Sequence, residues 1–121
     1  MASASKRKLS GSASGRPIKI TQTSTGGPAN TIHTSVNSVV DGTWDEIWLW
    51  AYNGYTSDVL LTIEFGGQDV PDQNIKVTVP FQAGLIPIIP GLILQNGYIV
   101  KAFADVADVV TLSGFVNTIT D

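Results

Sequence analysis

From Pro17 onward, apolar side chains recur at every second position in one short segment after another, and no window keeps helical spacing for more than about two turns. A period of two demands extended backbone, because only a strand sends successive side chains to opposite faces. The clearest segment is 58–65, where Val59, Leu61, Ile63 and Phe65 share one face, Asp58, Thr62 and Glu64 the other, and Leu60 alone breaks the pattern. Ile75, Val77 and Val79 alternate with Lys76 and Thr78, and that run should stop at Pro80, which has no N–H to give to a ladder. Further strands are expected over 18–23, 31–36, 44–53, 85–89, 98–104 and 109–119. Turn-forming residues stand between them: Gly26-Gly27-Pro28, Asp41-Gly42, Asn53-Gly54, Gly66-Gly67, Pro71-Asp72, Gly84, Pro90-Gly91 and Asn96-Gly97. About eight short strands punctuated in this way predict an all-β chain, an antiparallel β-sandwich of jelly-roll-like arrangement.

The 121 residues suit a single core. Charge divides the chain unevenly. Residues 1–20 hold Lys6, Arg7, Lys8, Arg16 and Lys19 with no acid, whereas residues 21–121 hold Lys76 and Lys101 against all ten acids. A Ser/Ala/Gly-rich leader with clustered cations offers too little apolar area to offset its ordering entropy, so residues 1–16 are expected to be a flexible basic arm that orders only on a partner. Residues 17–121 then form the sandwich domain. The acidic body would repel a phosphate backbone, so nucleic acid is disfavoured as a partner. The residues after Lys6-Arg7-Lys8 are mostly serine, glycine and alanine and form no apolar run, which argues against a secretory signal. The most apolar stretch, 85–94, is interrupted by Pro87, Pro90 and Gly91, too short and broken for a membrane-spanning helix.

Catalytic chemistry has little to work with. The chain has no cysteine and one histidine, His33, which excludes disulfides, cysteine-bound metals and multi-histidine centres. His33 is expected to be a surface or hydrogen-bonded structural residue. Asp41, Asp45, Glu46, Asp69 and Asp72 are loop carboxylates that could bind a hard cation such as calcium through oxygen ligands, but their spacing matches no EF-hand and they are taken as solvated. Glu46 and Glu64 could be drawn together as a glycosidase pair only by assumption. No phosphate-binding glycine motif occurs. The expectation is a protein that is not an enzyme and takes no cofactor or metal.

Two segments are candidate contact surfaces. In 44–53, Trp48, Trp50 and Tyr52 share one face while Ile47, Leu49 and Ala51 share the other, so both faces are apolar although a two-layer sandwich buries only one. The aromatic row is a core row opposed by a loop, a subunit or partner interface, or a platform that stacks on sugar rings. The run Leu85, Ile86, Ile88 and Ile89, continuing through Leu94, is either an interior strand pair or an apolar edge that meets another chain, and its prolines favour an edge strand.

The basic leader Lys6-Arg7-Lys8, the block Thr43–Asn53, the stretch Leu61–Gly67, and the segments 90–94 and 114–117 together resemble the small accessory structural proteins of tailed-phage virions, the head decoration or cement proteins. The resemblance implies a non-catalytic all-β module that assembles as a small homo-oligomer, often a trimer. It also implies attachment to the major capsid protein or another virion protein, and a place in the virion assembled in the host cytoplasm. A carbohydrate- or receptor-binding module of a tail or fibre is the alternative, using Trp48, Trp50 or Tyr52. A basic arm ahead of a jelly roll is also similar to RNA-virus coat proteins, although the body is short for most such shells.

Overall fold

The computed structural model describes residues 3–25, 29–38 and 42–121. Among the described residues nine strands follow one another: β1 Ser3–Lys8, β2 Ile18–Lys19, β3 Asn30–Thr34, β4 Thr43–Asn53, β5 Val59–Phe65, β6 Asn74–Val79, β7 Ile86–Leu94, β8 Ile99–Ala104 and β9 Val110–Thr120. They build two antiparallel sheets, one ordered β1-β9-β4-β7 with β2 also on β9, the other ordered β3-β8-β5-β6.

β1 pairs with the last part of β9 and β2 with Thr111 and Leu112 near its start, so the two act as one interrupted strand. Counted as one, the eight strands lie in the orders 1-8-3-6 and 2-7-4-5, and every sequential connection except β5 to β6 passes from one sheet to the other. This is jelly-roll connectivity. The alternation read in the sequence explains why the layers meet. Ile47, Leu49 and Ala51 of β4, with Val110, Leu112 and Val116 of β9, face Val59, Leu61 and Ile63 of β5 and Val100, Ala102 and Ala104 of β8, all fully buried. β4 and β9 run together over eleven paired residues, from Thr43↔Thr120 to Asn53↔Val110. Gly114 permits their close approach, since a Cβ there would lie 1.9 Å from the carbonyl oxygen of Trp48.

The expected flexible arm is corrected: residues 3–8 are an edge strand. Lys6 lies opposite Asn117, Arg7 opposite Val116 and Lys8 opposite Phe115. The ladder is main-chain only and therefore indifferent to the polar side chains, while Leu9, 1% exposed, anchors the end of β1 in the core. Residues 3–8 thus share a sheet with β9 and β4. Pro90-Gly91, read as a turn, instead lies inside β7. There Gly91, at φ +81°, is the extra residue of a β-bulge between the pairs Ile47↔Leu92 and Trp48↔Pro90. Of the strand expected over 18–23, only Ile18–Lys19 forms. The expected turn Gly26-Gly27-Pro28 and Asp41 of the turn Asp41-Gly42 lie outside the described residues.

Candidate interaction surface

The outward positions of the five-stranded sheet carry the aromatic row. Register places Trp48 beside Phe115 and Trp50 beside Ser113, with Trp44 beside Ile119 on the same face. The rings pack on one another. Trp48 and Trp50 lie 6.3 Å apart between centroids, Trp48 and Phe115 6.3 Å, and Trp50 and Phe115 6.0 Å, with planes within 26° of parallel. Gly91 leaves room for the Trp48 indole, which a Cβ at that position would approach to 2.8 Å. Glu46 Oε1 accepts from Trp48 Nε1 at 2.8 Å and from Asn117 Nδ2 at 3.1 Å. These two donors, Trp48 first, hold the Glu46 carboxyl below the usual carboxylate range, with desolvation opposing them. Lys6 Nζ sits 4.3 Å from the centre of the Phe115 ring and joins the basic strand to the aromatic patch.

Trp48 and Trp50 are half-buried, and Tyr52, on the same face, is exposed. Lys6, Arg7 and Lys8 are exposed on β1, and Arg16 is exposed in the loop between β1 and β2. Of the apolar run, Leu85 is exposed and Ile86 half-buried, whereas Ile88 and Ile89 belong to the core at 8% and 2% exposure and are not free to meet a partner. The cause is a second irregularity in β7, between Leu49↔Ile89 and Trp50↔Pro87, which turns two consecutive isoleucines inward. β7 is an edge strand, as its prolines suggest, and it exposes Leu92 and Ile93.

The expected loop carboxylates separate. Asp69 and Asp72 are exposed in the β5–β6 connection, but Asp45 and Glu46 are strand residues. Asp45 is buried at the end of the sandwich. Its Oδ2 lies 2.7 Å from His33 Nε2 and accepts from the Val36 N–H at 3.0 Å, and its Oδ1 accepts from the Thr118 hydroxyl at 2.7 Å. The Ser10 N–H donates to His33 Nδ1 at 3.0 Å. Both ring nitrogens are thus engaged in holding β3 against β4 and the β1–β2 loop. Glu46 and Glu64 point outward from different sheets, on opposite sides of the sandwich, and form no pair. Among the described residues, no three His, Cys, Asp or Glu side chains gather as a metal site.

Sequence reading placed Trp48, Trp50 and Tyr52 correctly on one face but missed Phe115, Asn117 and Glu46 beside them. Phe115 and Asn117 share a face by alternation within 109–119, yet only the pairing of β4 with β9 puts that face beside the tryptophans. Comparison of the chain with protein-family models, curated proteins and solved structures finds no match.

Proposed function

We propose that the chain is a non-enzymatic virion structural protein that binds an assembled capsid surface in a decoration or cement role, working as a small homo-oligomer with a trimer favoured. The observation that carries this reading is the outward aromatic face of β4 and β9. Trp48, Trp50 and Phe115 form a pre-stacked patch on a sheet whose inner face already supplies the core, and Tyr52 and Ile93 extend apolar surface beside it. Partner interfaces are enriched in aromatic side chains of this kind. A ligand that binds only the assembled lattice stabilises it by mass action, about 2.7 kcal/mol per site at roughly one hundred times its Kd.

Imaging of tailed-phage shells mixed with the tagged protein tests the reading. The expected result is regular density at lattice-related positions, lost on Trp50→Ala in a protein that still folds. Absence of attachment to any shell, combined with saturable quenching of tryptophan fluorescence by one glycan class, would replace it with the carbohydrate-binding alternative.

A further inference from the structure

A cavity of about 500 Å³ opens where the end of β1 meets the end of β3, lined by Arg7, Lys8, Ser10, His33, Ser35 and Asn37 among others. Arg7 occupies an inward register position opposite the buried Val116, yet its side chain is exposed and makes no ion pair or hydrogen bond among the described residues. Ser35 is 3% exposed and its Oγ has no hydrogen-bond partner among the described residues. A buried hydroxyl without a partner is costly, and the Arg7 guanidinium beside it has all its donors available. The two groups are complementary toward one ligand, because both donate and one of them is cationic.

Asp45 also borders the cavity, and its carboxylate would oppose an anion were it unpartnered. Its oxygens already accept from His33, Val36 and Thr118. Arg7 and Lys8 together outweigh that single negative charge. We propose that this cavity is a binding site for a compact oxyanion, of the phosphate or carboxylate class, held by the Arg7 guanidinium and the Ser35 hydroxyl. Arg7 occupies an inward register position whereas the aromatic row of β4 and β9 faces outward, and binding in the cavity does not depend on attachment to a shell.

Calorimetric titration of the isolated protein with sodium phosphate and, separately, sodium acetate tests it, with chloride at matched ionic strength as the blank. Saturable binding of either anion supports the site: phosphate alone identifies a tetrahedral oxyanion, and acetate alone a carboxylate such as an acidic side chain supplies. Arg7→Gln is expected to weaken that binding roughly tenfold or more. Ser35→Ala should weaken it too while leaving the melting temperature no lower, which a purely structural hydroxyl would not do. Arg16→Gln, which removes a cation outside the cavity lining, should leave affinity unchanged. A non-saturable response equal to that of chloride, or equal weakening by Arg7→Gln and Arg16→Gln, would overturn the proposal. Shell attachment plays no part in any of these measurements, so this proposal and the capsid reading fail separately.

Discussion

On the four-stranded sheet most outward positions are polar, Thr62, Glu64, Lys76, Thr78 and Lys101 among them, with Leu60, Ile99 and Phe103 the apolar exceptions. On the five-stranded sheet the outward positions of β4 and β9 include Trp44, Trp48, Trp50, Tyr52, Phe115 and Ile119 beside the polar Thr111 and Ser113, and Glu46 accepts from both the Trp48 indole and the Asn117 amide. The inner faces of the two sheets are alike, both filled by aliphatic residues. A two-layer sandwich needs one apolar face per sheet. The polar outer face follows that rule, and the chain itself reaches over part of it, through Thr25 of the β2–β3 connection hydrogen-bonding Glu64. The aromatic outer face goes beyond what folding requires, and that surplus is what supports the proposal that it is a contact surface.

The largest effect is expected from removing residues 2–16. If β1 is part of the five-stranded sheet, the truncated protein loses the Leu9 anchor, about 2–5 kcal/mol by itself, together with the β1–β9 ladder, and its melting temperature falls sharply. An unchanged melting temperature would return these residues to the status of an arm.

Next come the inner faces. Leu49→Ala and Leu61→Ala, one on each sheet, should each cost about 2–5 kcal/mol in denaturant unfolding, since both side chains are essentially fully buried. Unequal costs would mean that the two inner faces are not equivalent after all. Trp50→Ala should cost clearly less, because the ring is half-buried and its stacking contributes only about 0.5–1.5 kcal/mol beyond the area it covers. Loss of folding on the same scale as Leu49→Ala would make the aromatic row core and would erase the contrast between the outer faces.

The smallest effect concerns pH. Because Glu46 is held below its ordinary value in the folded protein, the unfolded chain binds the proton more readily. Its contribution is therefore present above the unfolded carboxylate range and is lost as pH falls through the depressed folded value. Glu46→Gln should flatten this part of the acid limb of the stability curve while changing stability at neutral pH by no more than about 1.5 kcal/mol. An acid limb of identical slope in the variant would remove Glu46 from the account of how Trp48 is held.

How much of this was legible in the sequence differs by region. The inner faces of β5 and β6 were, because alternation alone assigns them, whereas on β4 both faces are apolar and only the packing of the two sheets shows which one is buried. β1 was not: Ser-Ala-Ser-Lys-Arg-Lys has no apolar period, and its strand state comes from the unpaired edge of β9 that it completes. Pro90-Gly91 was misread because a left-handed glycine serves a turn and a β-bulge equally well. The His33–Asp45 pair was invisible because its partners lie on strands of different sheets, and only the packing of the layers brings them together. On the aromatic face the tryptophans were legible within one strand, while Phe115, Asn117 and Lys6 required the cross-strand register.

All three tryptophans of the chain, Trp44, Trp48 and Trp50, occupy outward positions of the five-stranded sheet, so intrinsic fluorescence reports on that face alone. Acrylamide quenching of the free protein, compared with the protein saturating an assembled shell, tests the central claim directly. The account predicts a clear fall in the quenching slope on attachment, as the aromatic face is covered. Complete attachment with an unchanged slope would show that the partner sits elsewhere and that this face is not the contact surface.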